Sequence, residues 1–155
     1  MGYTHYWTDF GSGDTLPAEA VKLIKQVIDQ AYGLGLIQRE YDDSRPPIVT
    51  AQEVRFNGIG EEGHETFRYS TSPGDEIGFC KTARKPYDAV VMRVLLILGY
   101  YREGLTIRSD GEFDDEWADA LAWFNREVGH AYVDRHLGFY RPSTSQPISI
   151  PDLCF

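Results

Sequence analysis

The residues best equipped for chemistry lie together in one stretch, Phe79-Cys80-Lys81-Thr82-Ala83-Arg84-Lys85-Pro86-Tyr87-Asp88. It brings a thiol, three cations and a carboxylate to the entrance of the most apolar segment of the chain, Ala89 to Leu98, where Arg93 alone is not apolar. Pro86 suits the first position of a helix, which makes Lys85 the N-cap. Lysine cannot accept a hydrogen bond, so the first-turn N–H groups are expected to stay free beside Lys81, Arg84 and Lys85. Backbone donors, a helix dipole and cations together describe a phosphate or carboxylate site. Asp88 offers the competing arrangement, because from the third helical position it can reach back to the Lys85 N–H and cap the helix internally.

Cys80 invites a second chemistry. A thiol beside Lys81 and a helix N-terminus is placed to ionise early, with His64 as its base and Glu65 or Asp110 orienting the imidazole. Against this, cysteine is often a small buried hydrophobe, and Phe79-Cys80 fits the end of a core strand. The four histidines, His5, His64, His130 and His136, show no close metal-ligand spacing, and the acidic runs Asp42-Asp43 and Asp114-Asp115-Glu116 lack a calcium-loop pattern. Gly58, Gly60 and Gly63 fall between two extended segments, not between a strand and a helix, so no nucleotide-binding glycine loop is present. No metal or cofactor is expected.

The elements that must position these groups follow from periodicity. Residues 3–7 form a short aromatic strand, and Asp9 to Asp14 a loop. Pro17 opens a helix capped by Asp14 or Thr15, with Val21, Ile24, Val27, Ile28 and Ala31 on one face, closed by Gly33 and Gly35. Ile48 to Phe56 is extended, Asn57-Gly58 with Gly60 turns, and His64 to Tyr69 returns as a strand. Ile77 to Cys80 adds another extended piece. The helix after Pro86 is expected to be buried on nearly all sides. Leu105 to Ile107 reads as a strand, and acidic Glu112, Asp114, Asp115 and Glu116 suit the positive end of a third helix carrying Trp117, Leu121, Phe124 and Val128 on one face. The expected architecture is a single α+β domain over residues 1–140, an antiparallel or mixed sheet with about three helices packed mainly on one face. Residues 141–155, with Pro142, Pro147 and Pro151, form an extended arm whose end, Leu153-Cys154-Phe155, is apolar.

Bulk properties narrow the function class. The 155 residues suit one domain, 42% are hydrophobic, and the net charge is −9. Such a charge argues against direct nucleic-acid binding, which leans on Lys and Arg. Such a charge most commonly serves solubility, and it also suits contact with a basic protein surface. No apolar run is long enough for a membrane span, and Met1 to Trp7 does not read as a secretory leader, so a cytoplasmic protein with two free thiols is expected.

Met-Gly-Tyr-Thr-His-Tyr-Trp at the start, Phe56-Asn57-Gly58 followed by His64-Glu65-Thr66-Phe67, the Phe79 to Asp88 stretch, and Ser109-Asp110-Gly111 before Trp117 resemble a family of uncharacterised bacterial and phage proteins. The resemblance runs through the third helix and stops near Val133. It implies neither fold nor activity, but it implies that His5, Asn57, His64, Glu65, Cys80, Lys81, Arg84, Lys85 and Asp110 converge on one site. A phage or mobile-element setting would also suit an inhibitor of a host system. The first expectation is therefore a protein that binds a phosphate- or carboxylate-bearing ligand, such as a nucleotide. Lys81, Arg84, Lys85, Tyr87 and Asp110 would hold it, with His5, Tyr6, Trp7, Asn57 and His64 lining the rest. An acidic protein that occludes a host enzyme or nucleoprotein is the alternative. A cysteine enzyme built on Cys80, His64 and Glu65 is the third.

Overall fold

The computed structural model describes residues 2–10, 14–102, 104–129, 132–134 and 138–140. The expected arm at 141–155 lies outside them, as do His130 and His136. In chain order the elements are β1 (Thr4–Asp9), α1 (Ala18–Gly33), β2 (Ile37–Gln38), β3 (Ile48–Val49), β4 (Glu53–Gly58), β5 (Phe67–Ser70), β6 (Ile77–Lys81), α2 (Asp88–Tyr101), β7 (Leu105–Ser109), α3 (Ala118–Glu127), β8 (Tyr132–Asp134) and β9 (Gly138–Tyr140). They form a small α+β domain with two antiparallel sheets. The larger runs β6-β1-β7-β9-β8, and the smaller is built around β4, which pairs with β2, β3 and β5.

β1 pairs with both β6 and β7, and from His5 onward its alternation separates the two faces. His5, Trp7 and Asp9 point inward, while Tyr6 and Thr8 point out. The outer face stays open, with Tyr6, Ile77 and Phe79 exposed. α2 lies against the inner face and is flanked by α1 and α3. As its composition requires, eight of its apolar side chains, from Val90 to Leu98, are buried, each contributing about 1.5–3 kcal/mol before the entropy of ordering is subtracted. Trp7 bridges to the smaller sheet: its ring lies 5.1 Å from that of Phe67, which in turn lies 5.2 Å from Phe56. Opposite Trp7 on β6 stands Gly78, where any Cβ would run into the indole.

A buried ion pair joins the end of β1 to the end of α2. Arg102 Nε donates to Asp9 Oδ2 at 2.9 Å, and Tyr69 donates its hydroxyl to the same oxygen at 2.6 Å. Arg102 also bonds the carbonyl of Asp14 at 2.7 Å. Asp9 is thus the last residue of a strand rather than the first of a loop.

Several boundaries differ from the sequence reading, each for a local reason. Pro17 is the N-cap of α1 rather than its first helical residue, and no side chain caps that end. The extended segment at 48–56 is a hairpin, because Thr50 turns the chain with its hydroxyl accepting the N–H groups of Gln52 and Glu53. Asn57 and Gly58 end β4, and the turn itself is the 3₁₀ segment Gly60–Glu62. α2 begins at Asp88, two residues beyond Pro86. α3 begins at Ala118, so the acidic residues 112–116 occupy the turns ahead of it.

Candidate functional site

Pairing of β1 with β6 and β7 places His5 opposite both Cys80 and Ser109. The start of α2 packs over this end of the sheet, so several of the expected site residues do meet. At their centre is a fully buried imidazole. His5 Nδ1 lies 2.7 Å from Ser109 Oγ, and Nε2 lies 2.6 Å from Asp88 Oδ1. The same Asp88 oxygen accepts the Thr82 hydroxyl at 2.6 Å. Ser109 Oγ also accepts the Gly111 N–H and the Trp117 indole N–H, both at 2.9 Å.

These bonds assign the protons. A hydroxyl oxygen has two lone pairs and one hydrogen. With both lone pairs engaged by obligate donors, the Ser109 hydrogen goes to His5 Nδ1, and the imidazole hydrogen on Nε2 goes to Asp88. The order Ser–His–Asp resembles a nucleophile with its base, but a serine whose lone pairs are both occupied is not poised to attack. The cluster clamps β1, β7 and α2 and anchors Trp117 at the start of α3. Tyr3 and Trp117 close it edge-on to the His5 ring, at 5.2 and 5.1 Å between centroids. The buried Tyr3 hydroxyl makes no hydrogen bond to the described residues and lies against Gly111.

The cationic helix start is rearranged in the fold. Lys85 is not the N-cap; Tyr87 takes that place, and the Asp88 N–H is bonded to the Lys85 carbonyl at 2.8 Å. Asp88 does not reach back to the Lys85 N–H, which bonds Thr82 O at 3.0 Å, because its carboxylate is taken by His5 and Thr82. Thr82 to Lys85 is a tight turn whose two central residues, Ala83 and Arg84, have φ of 53° and 58°. That conformation is unfavourable for residues with a Cβ. Arg84 is spent on an ion pair with Glu116 at 2.7 Å and stacks over the Tyr3 ring at 4.2 Å. Two of the three cations therefore remain for an anion here, Lys81 and Lys85, both half-buried.

The other expected residues have structural duties. Cys80 is fully buried, and its thiol points at the Glu65 carbonyl at 3.5 Å. Burial pushes that thiol up to about 12, the reverse of the lowered value a nucleophile needs. His64 is exposed and makes no bond to Cys80 among the described residues, so the expected cysteine dyad is not assembled. Glu65 instead fastens the strand edge, accepting the Lys81 N–H at 2.8 Å through its carboxylate and the Tyr87 hydroxyl at 2.6 Å through its carbonyl. Tyr87 is accordingly buried and unavailable to a ligand. Asn57, also buried, uses its whole amide on the loop it starts: Nδ2 donates to His64 O and Thr66 Oγ1, while Oδ1 accepts the Gly58 and His64 N–H groups. Trp7 belongs to the core. Tyr6 faces away from His5 on the open side of the sheet. Asp110 closes the β1–β7 end by accepting the Thr4 N–H at 3.0 Å.

A second concavity, which the sequence reading did not single out, lies between the helices. A groove of about 490 Å³ is lined by Leu23, Gln26, Val27 and Gln30 of α1, Arg93 of α2, and Trp123, Arg126, Glu127 and Val128 at the end of α3. Arg93 is half-buried there, with its guanidinium 4.8 Å from the Trp123 ring centre. It forms no ion pair or hydrogen bond with the described residues. Burial first, and the neighbouring Arg126 second, weigh against its charge, with Asp119 pulling the other way from beyond ion-pair distance. Arg126 is partnered by Glu127 at 3.1 Å, an exposed pair of adjacent residues. Such an exposed pair is weak and readily exchanged for another partner. The signal in the sequence was Arg93 itself, the single charge on an otherwise apolar helix.

Among the described residues no group of three or more His, Cys, Asp or Glu is placed to hold a metal. No helix among them is long and apolar enough to cross a membrane. The chain finds no significant match among protein-family models, curated proteins or solved structures.

Proposed function

We propose that the protein binds a small anionic ligand, and that the ligand's charge is met in the interhelical groove by Arg93 and Arg126. One observation carries this reading: a half-buried guanidinium with no carboxylate partner among the described residues, beside a second arginine and open to a groove of about 490 Å³. Burying a charge without a counter-charge is costly, and two like charges together add to that cost. A phosphate or carboxylate would relieve both. Arginine also matches such groups with paired donors, which lysine does not. Gln26 and Gln30 add amide donors and acceptors along the wall, and the Trp123 ring holds Arg93 in place from its side. The site at Lys81 and Lys85 is the lesser candidate, since Arg84 is committed to Glu116 and the N–H of Asp88 is already bonded. A cytoplasmic setting, where phosphorylated and carboxylated metabolites are plentiful, suits this reading.

Thermal unfolding in the presence of a phosphomonoester and carboxylate panel tests it. Occupancy at a hundred times Kd stabilises by about 2.7 kcal/mol, and Arg93→Gln is expected to remove the shift. No stabilisation by any millimolar anion would sink the proposal.

A second reading, an acidic protein that engages a basic surface of another protein, is favoured by one feature. Ser109, Gly111, Glu112, Phe113 and Asp114 line a cleft of about 270 Å³, and the Tyr3 hydroxyl lies unpartnered against Gly111 behind it. A basic side chain with a nearby acceptor would suit those groups. Capture of a partner that survives Glu112→Gln with Asp114→Asn rules this face out.

A further inference from the structure

The groove that holds Arg93 does not end at Arg93. On its other side lies a second cleft of about 300 Å³, lined by Val27, Gln30, Ala31, Leu34, Leu36, Ala89, Val90 and Arg93. Val27, Gln30 and Arg93 border both, so the two concavities share a wall and adjoin. Their chemistry differs sharply. One half carries two arginines, two glutamines and a glutamate, whereas the other is aliphatic apart from Gln30 and the shared Arg93.

The apolar half is built by the end of α1. The Leu36 N–H bonds Ala31 O at 3.0 Å and the Gly35 N–H bonds Tyr32 O at 3.0 Å, with Gly35 at φ 75°. This is the Schellman arrangement, which brings the residue after the glycine against the helix's last turn. Here it brings Leu36 beside Ala31 and leaves Leu34 69% exposed at the rim. Exposed leucines next to an aliphatic cleft present apolar surface that the described residues do not cover.

We infer that the ligand is an amphiphilic anion, a phosphate or carboxylate head on Arg93 and Arg126 with a hydrocarbon portion lying along Ala31, Leu34, Leu36 and Val90. The inference rests on the anion-binding reading and adds the tail. Head and tail meet at Arg93, whose position on both rims fixes the polarity of the ligand along the groove.

A homologous series of alkyl phosphates from methyl to decyl, each below its micellar concentration, tests it by calorimetry and tryptophan fluorescence. Trp7 and Trp117 are buried and Trp123 is half-exposed in the groove, so a change in emission reports on this site. Affinity is expected to rise up to about fourfold per added methylene until the cleft is filled. Leu34→Ser with Leu36→Ser should flatten that rise while leaving methyl phosphate binding unchanged. Arg93→Gln should weaken every member of the series by a similar factor. Decanoate against decyl phosphate separates the two head groups, the doubly charged one binding more tightly if both arginines engage it. Equal affinity along the series refutes the tail and leaves the anion site standing. Decyl maltoside, an uncharged amphiphile, binding as tightly as decyl phosphate refutes the head. No binding by any member refutes both.

Discussion

Ser109→Ala is the substitution that most directly probes the buried cluster, since it removes one oxygen and leaves the surrounding geometry alone. That oxygen serves three groups: the Gly111 N–H and Trp117 indole N–H at 2.9 Å, and His5 Nδ1 at 2.7 Å. All three are buried. A stranded buried polar group costs about 1–3 kcal/mol. Ser109 itself is half-exposed, so water entering beside the new methyl recovers part of that cost, and the expected loss is about 3–5 kcal/mol. For a domain whose whole stability is about 5–15 kcal/mol, this is severe but measurable. Urea unfolding followed by tryptophan emission should show the midpoint falling by about 2 M with an unchanged slope near 2 kcal/mol/M. Ser109→Thr keeps the oxygen and adds a methyl on a strand, so it should lose less than about 1.5 kcal/mol. A loss below about 1 kcal/mol for alanine, or threonine no better than alanine, would refute the clamp.

Other perturbations follow from the same structure. Arg102→Met strands the Asp9 carboxylate in the core and should cost about 3–5 kcal/mol by the same urea assay; an effect under about 1 kcal/mol would mean the pair is not buried in solution. In a Cys154→Ser background, native Cys80 should resist iodoacetamide at pH 8 and react only after unfolding, because burial pushes its thiol up to about 12; rapid native alkylation contradicts the burial. Burial also pushes up the phenols of Tyr69 and Tyr87. The unfolded chain therefore releases these protons first and binds fewer of them, so stability should fall as pH rises above about 9. Urea midpoints at pH 8 and pH 10 check this, and a higher midpoint at pH 10 is the contrary result.

The legible parts of this fold were those written in local pattern. α2 was visible because its apolar run needs no partner to identify it, and β1 because residues 3–7 are mostly aromatic. The end of α1 was visible through Gly33 and Gly35. Hidden were features that depend on residues far apart in the chain. Nothing near Asp9 signals that its partner is Arg102, and nothing near His5 signals Ser109. The single strand expected at 48–56 is broken by a serine-like turn at Thr50, a side-chain effect that hydrophobic period does not report. At the candidate site, sequence proximity misled. Lys81, Arg84 and Lys85 are neighbours in the chain, yet Arg84 answers to Glu116 from another element. Arg93 and Arg126 are distant in sequence and share a groove, so pattern could flag the first as odd but could not pair it with the second.

The turn at Thr82–Lys85 bears on how the molecule assembles. Two successive non-glycine residues in the left-handed region are not a conformation the local chain selects. They are held by the Tyr3 carbonyl, which accepts the N–H groups of both Thr82 and Ala83, and by the reach of Arg84 to Glu116. Each of those restraints comes from a distant part of the chain, so the turn has no reason to exist before β1 has joined β6 and the segment ahead of α3 has docked. Its formation belongs on the native side of the folding barrier. Substitutions there are then expected to act on how fast the protein comes apart, and little on how fast it folds.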